Sequence, residues 1–96
     1  VQNGLVLAIE AIEGTDLMLK RSGLLKLPGT GPVLVKAPKV NQDLRFDQPV
    51  IGIQTVKNAI KSGFSCIACK HNEVLIVDIS KVIRLANSKS LTLIGF

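Results

Sequence analysis

Short apolar segments alternate with helical patterns along this chain, and this alternation limits the fold more than any other feature. Residues 5–12, LVLAIEAI, are apolar on both alternating faces except at Glu10, which predicts a buried strand. VLVKA, CIAC, VLIV and LTLIGF predict further short strands. CIAC and VLIV flank the polar break KHNE, so they are expected to form a hairpin.

Three segments between these strands carry helical signatures. The residues EGTD offer Thr15 or Asp16 as the N-cap of a short helix that runs to about Arg21 and ends at Gly23. Two amphipathic helices follow. The apolar positions of the first are Val56, Ala59, Ile60 and Phe64. Those of the second are Ile79, Val82, Ile83 and Ala86, with Asp78 or Ser80 near its N-cap. The predicted order is β-α-β-loop-α-β-β-α-β.

Composition favours one small α/β domain with a mixed sheet and flanking helices. The chain has 96 residues, 47% of them hydrophobic, which suits a single core. Aromatic residues make up only 3% and Trp and Tyr are missing, so the core must be built from aliphatic side chains, as in buried parallel strands.

The charge and the cysteine content limit the partners and the compartment. A net charge of +5 favours an anionic partner without identifying it. No apolar run reaches the roughly 18 residues of a membrane span, and no signal peptide is visible. Two cysteines do not make a disulfide framework, so the cytoplasm is the expected compartment. The chain opens on Val1, in what looks like the second arm of a hairpin, and is expected to be a fragment.

Zinc and nucleic acid are both poor matches to the sequence. Cys66, Cys69 and His71 have no second ligand pair, and on a strand the two cysteines face opposite sides, so they are interpreted as small buried hydrophobes. Nucleic-acid binders need aromatic platforms or a basic helix, and the three phenylalanines are scattered.

The segment KVNQDLRFDQPVIG, residues 39–52, carries the clearest chemical signal. Asp43, Arg45 and Asp47 alternate with apolar residues, and carboxylates beside basic groups can hold a hydrated divalent cation and clamp phosphate oxygens. An extended chain would separate the two aspartates by about 13 Å, too far to share one metal. Either the segment turns, or one aspartate works with carboxylates from elsewhere, for which the candidates are Glu10, Glu13 and Asp16.

A surface ladder of ion pairs is the alternative interpretation of these charges. In that case Glu13 and Asp16 only end a strand and cap a helix, and Lys36 and Lys39 are solvated. The residues alone leave both interpretations open.

VLAIEAIEGTDLML, VLVKAPK and QDLRFDQPVIG resemble, in order and spacing, signature segments of the UDP-2,3-diacylglucosamine diphosphatases of the LpxI type. The resemblance covers essentially the whole chain, as the C-terminal catalytic domain of a two-domain enzyme whose upstream domain is absent here. It implies a bacterial hydrolase of lipid A biosynthesis, dependent on Mg²⁺ or Mn²⁺, that releases lipid X and UMP. Contact with its own N-terminal domain and with the cytoplasmic face of the inner membrane is expected, because the substrate carries two acyl chains.

The resemblance also assigns residues. Asp43 is implied as the essential carboxylate, with Asp47 second. The implied substrate contacts are Thr15, Lys36, Lys39, Gln42 and Arg45. The implied metal ligands are among Glu10, Glu13, Asp16 and Asp43. The family usually reads Lys-Pro-Gly-Gln-Asp where this chain has KVNQD, so Asn41 is expected to adopt the positive φ that glycine would supply. The runner-up function is a non-catalytic phosphate-ligand or nucleotide-binding module.

Overall fold

The computed structural model describes residues 1–41, Asp43 and residues 48–96. Within them the helices are α1 (Thr15–Leu24), α2 (Ile53–Lys61) and α3 (Ile79–Ser88). The strands are β1 (Val33–Lys36), β2 (Val50–Ile51), β3 (Cys66–Cys69), β4 (Leu75–Ile76) and β5 (Thr92–Gly95). One sheet has the order β1-β3-β5 and the other pairs β2 with β4. The predicted α/β class is confirmed.

Both sheets are parallel throughout, because helices connect the paired strands. β1 pairs with β3 from Val33 opposite Cys66 to Lys36 opposite Cys69, and β3 pairs with β5 in the same direction. The chain passes through α2 between β1 and β3, and through α3 between β3 and β5. Such crossovers return the chain to the same end of the sheet, so the carboxyl ends of all three strands lie together.

Residues 5–12 do not form the predicted buried strand. Asn3 and Gly4 have φ values of 52° and 75° and turn the chain back, so that Gln2 and Leu5 form an isolated antiparallel bridge. The apolar residues that follow are largely exposed: Leu5, Val6, Ile9 and Ile12. An apolar sequence favours burial in a strand only where a neighbouring strand accepts its peptide groups, and β1 pairs instead with Val1 and β3.

The predicted hairpin of CIAC and VLIV is also wrong. β3 lies in the large sheet, whereas β4 pairs in parallel with β2, a strand in a segment predicted as loop. The turn between them is anchored elsewhere, since the His71 amide donates to the Phe96 carbonyl at 2.7 Å. This bond attaches the start of the KHNE segment to the end of β5.

The helices lie close to where their periodicity predicts, but their ends differ. The N-cap of α1 is Gly14, which has a φ of 89°, so the predicted caps Thr15 and Asp16 are its first two residues instead. Helix α2 ends at Lys61, so Phe64 lies beyond it.

Helix α1 continues through Gly23 to Leu24. A Cβ at Gly23 would lie 3.1 Å from the Ser62 Cβ, so this glycine permits the close approach of α1 to the end of α2. None of the three helices of the described residues has the length and apolar character required to span a membrane.

The core lies between the large sheet and the helices. Its fully buried side chains include Leu19, Val56, Ile67 and Val82. Cys69 is buried in the same cluster and Cys66 is half-buried, both as free thiols, and burial raises the pKa of each. This burial agrees with the interpretation of the cysteines as small hydrophobes.

Candidate functional site

A closed triangle of hydrogen bonds joins Glu10, Thr15 and Lys36. The Thr15 hydroxyl donates to Glu10 Oε2 at 2.7 Å, and Lys36 Nζ donates to the same oxygen at 3.0 Å. Lys36 Nζ also donates to Thr15 Oγ1 at 2.7 Å. Three sequence-predicted site residues are thus brought together, although Lys36 is 26 residues from Glu10.

Three different elements position this triangle. Thr15 is the first residue of α1, which follows Gly14 with a φ of 89°. Lys36 is the last residue of β1 and therefore lies at the carboxyl end of a parallel strand, where open α/β sheets gather ligands. Glu10 comes from the irregular segment before α1.

Positive charge surrounds the Glu10 carboxylate. Its partial burial acts to raise its pKa, but hydrogen bonds from Thr15 and Lys36 and the charges of Lys36 and Lys39 outweigh this effect, so the pKa is lowered. The ionised form of Glu10 is therefore stabilised, chiefly by its contacts with Thr15 and Lys36.

A cavity of about 600 Å³ opens beside the triangle. Apolar residues of β1 and the core form much of its wall, including Leu34, Val35, Met18 and Phe64. The polar residues that line it are Glu10, Ser22, Lys36, Lys39 and Gln48. The combination offers an apolar volume next to a cationic group, which suits an amphipathic anion.

The other two predicted carboxylates have separate partners. Glu13 forms an ion pair with Arg21, which also donates to the Ile9 carbonyl at 3.1 Å. Asp16 Oδ1 accepts a hydrogen bond from the Thr55 hydroxyl at 3.1 Å, which links α1 to α2. These contacts favour structural roles for both acids.

The described residues do not gather a metal site. Within residues 1–41, Asp43 and 48–96, no three Asp, Glu, His or Cys side chains form a group that could hold a metal ion. Glu10, Glu13 and Asp16 each contact a different basic or hydroxyl partner. In this arrangement these three described acids do not fit one shared Mg²⁺.

Comparison with known proteins identifies the family. Residues 1–94 match the LpxI C-terminal domain. The chain belongs to the LpxI C-terminal domain family. A related protein is the UDP-2,3-diacylglucosamine pyrophosphatase LpxI of Caulobacter vibrioides, which is 41% identical over 101 residues that cover 99% of this chain and 36% of that protein. The chain thus spans about a third of the length of that relative.

In this LpxI-family domain the KVNQD segment is only partly described. Asn41 has a φ of 65°, which confirms the expectation that it would replace the usual glycine. Asp43 is exposed. The remaining predicted residues, Gln42, Arg45 and Asp47, lie outside the described residues.

Sequence reasoning missed Arg21 and Thr55. Arg21 lies eight residues after Glu13, and Thr55 lies 39 residues after Asp16. Glu13 lies before the start of α1 and Arg21 lies within it, so the helical i, i+4 spacing does not predict their contact. The contact of Thr55 with Asp16 depends on how α1 packs against α2, which the sequence does not show.

Proposed function

We propose that this chain is the diphosphate-binding, catalytic part of a UDP-2,3-diacylglucosamine pyrophosphatase. The proposed reaction is hydrolysis of the phosphoanhydride to 2,3-diacylglucosamine 1-phosphate and UMP, in lipid A biosynthesis. The observation that carries the proposal is 41% identity over 99% of the chain to a protein of that name. The Glu10–Thr15–Lys36 triangle supports it, because it presents an oriented cation beside an apolar cavity.

Lys36 is the proposed diphosphate contact. An ammonium group has three N–H donors, and Lys36 uses two of them on Glu10 and Thr15. The third is without a partner among the described residues and is proposed to donate to a phosphate oxygen. Water attacks one phosphorus and the phosphoanhydride P–O bond breaks, so negative charge grows on the leaving oxygen where a cation stabilises it.

Glu10 and Thr15 are proposed to position Lys36. The resemblance implied a metal-binding role for Glu10 and a substrate contact for Thr15, and both side chains accept a hydrogen bond from the Lys36 ammonium group. Holding a long side chain in one orientation before binding reduces the entropy lost when the substrate arrives.

Asp43 is proposed to orient the attacking water or to accept its proton. It follows Lys39 closely in sequence, and Lys39 lies near Glu10 at the edge of the cavity. A requirement for Mg²⁺ or Mn²⁺ stays a prediction, tested by release of UMP before and after chelation and after each ion is returned.

The decisive experiment measures UMP release from UDP-2,3-diacylglucosamine by the proposed two-domain protein. Asp43→Ala should remove most turnover and retain substrate binding, because the lysines persist. Lys36→Met should lower turnover by roughly 10²-fold, the usual effect of losing one charge-stabilising donor. Lys81→Met, on the exposed surface of α3, is the matched control and should be unchanged.

Near-normal turnover in Asp43→Ala would contradict the site assignment. A non-catalytic phosphate-ligand module is the second candidate, favoured by the oriented Lys36 ammonium group beside the cavity, which could bind a phosphate without turnover. That function would appear as binding of UMP without any release of product.

A further inference from the structure

One side of α1 and the C-terminal end of α2 enclose a groove on the surface of the domain. Its volume is about 500 Å³, and we call it the basic groove after its principal lining residues, Leu17, Lys20, Leu24, Lys26 and Lys61. Gly63 also lines it, and a Cβ there would lie 2.8 Å from Lys26 Nζ. The Lys26 side chain is therefore laid against the backbone at the end of α2.

Two leucines of the basic groove are exposed to water. Leu17 is 57% exposed and Leu24 is 88% exposed. They are seven residues apart on α1 and so lie on the same face, two turns apart along the helix. These side chains do not pack in the core, although neighbouring Met18 and Leu19 are buried.

The three lysines of the basic groove are exposed, and none forms an ion pair with another described residue. The acid that lines the groove is Asp16, whose Oδ1 already accepts a hydrogen bond from Thr55. Arg21, by contrast, is neutralised by Glu13. Positive charge is thus left available where the leucines are exposed.

We propose that the basic groove binds an anionic lipid surface. Exposed leucines can enter the boundary between headgroups and acyl chains while lysine stems run along apolar surface and bring their ammonium groups to the phosphates. Charge complementarity selects this partner: unpaired lysines are attracted to an anionic leaflet, each contributing roughly fivefold to the partition constant near the surface. The inference goes beyond the proposed hydrolysis, because lipid binding needs no turnover.

Sedimentation with vesicles tests the proposal on the 96-residue chain. Vesicles of phosphatidylcholine with roughly 30% of the anionic lipid phosphatidylglycerol are compared with pure phosphatidylcholine vesicles, because an anionic leaflet attracts lysines. Binding is expected only to the anionic vesicles and should fall as salt is raised. Lys20→Gln combined with Lys61→Gln should weaken it by roughly 25-fold.

Lys81→Gln combined with Lys89→Gln is the matched control, since it removes the same charge from α3 and its C-cap and should retain binding. Leu24→Ser should weaken binding and leave the melting temperature near that of the wild type, because Leu24 is exposed. Equal binding to both vesicles, binding to neither, or equal losses in the two lysine pairs would overturn the proposal. Self-association that Leu24→Ser abolishes, without vesicle binding, would overturn it in favour of a second copy of the chain.

Discussion

At the scale of single residues, Glu10 shows how local contacts decide the charge of a site. Burial alone would favour its neutral form, yet Thr15 and Lys36 both donate to one carboxylate oxygen and Lys39 adds a further positive charge. The net effect is a lowered pKa. The ionised acid in turn fixes the ammonium group that is proposed to contact the diphosphate.

This balance predicts the acid dependence of folding. A carboxyl whose folded pKa lies below its unfolded value of about 4.3 stabilises the fold above that pH. The contribution of Glu10 should therefore be complete at neutral pH and decrease as the pH falls below about 4.3 and through the folded pKa. Melting temperatures of the wild type and Glu10→Gln, compared between pH 3 and 7, should converge on the acid side.

Thr15 supplies a matched pair of variants for the same carboxyl. Thr15→Val removes the hydroxyl that lowers the pKa of Glu10, so carbon-detected NMR titration should give a higher pKa than in the wild type. Thr15→Ser keeps the donor and should leave the titration near that of the wild type. If the valine and serine variants titrate alike, the hydroxyl does not set this pKa.

Residue-scale expectations had mixed outcomes: the positive φ at Asn41 was confirmed, whereas the N-cap expected at Thr15 or Asp16 is Gly14. The replacement of glycine by Asn41 was predictable because asparagine tolerates a positive φ more readily than most residues, and its φ is 65°. The triangle itself was not predictable from the residues, because it depends on bringing Lys36 next to a segment 26 residues earlier. Each member was named as a site residue, but their mutual contacts required the fold.

At the scale of elements, helices were predicted better than strand pairing. Helices α2 and α3 are encoded by apolar residues at helical spacing, a signal contained within each segment. The sequences of short apolar strands such as CIAC and VLIV do not indicate which strand each pairs with, so a hairpin between them was expected. Instead, each strand belongs to a different parallel sheet. The strand predicted at residues 5–12 was wrong for a related reason. Its apolar residues indicated burial in a sheet, but β1 pairs with β3 and leaves them largely exposed.

The contact of α1 with α2 gives an element-scale prediction. Thr55 is 8% exposed and its hydroxyl donates to Asp16 at 3.1 Å. Thr55→Val keeps the shape of the side chain but removes this bond, which should cost about 1 kcal/mol in the free energy of unfolding. In a domain of this size that corresponds to roughly 4–8 °C in melting temperature.

Thr55→Ser is the control for the hydroxyl, because it keeps the donor and loses only a methyl group. A double-mutant cycle of Thr55→Val with Asp16→Ala should show that the two losses are not additive. Additive losses would mean that the two side chains stabilise the helices independently. The measurement is denaturant unfolding at neutral pH.

At the scale of the whole molecule, the chain spans 36% of the length of the Caulobacter relative. Its own 96 residues must close a core, and the apolar side chains of Leu5, Val6, Ile9 and Ile12 remain exposed. The cavity beside Lys36 is lined by part of this segment. A second domain of the kind implied by the family resemblance could cover the exposed apolar side chains of residues 5–12 and close the cavity beside Lys36.

The final prediction, which rests on the proposed function, is that the 96-residue chain folds but hydrolyses the substrate poorly. Two acyl chains require an apolar surface that a small domain can spare only in part, and an open site lets water screen each lysine–phosphate contact. The chain should bind UMP weakly and turn over far more slowly than the proposed two-domain protein. Assays of both under the same metal and detergent conditions decide the matter, with circular dichroism showing that the chain is folded. Comparable rates would mean that these 96 residues hold the whole catalytic apparatus, and that Lys36 and Asp43 need no cover from another domain.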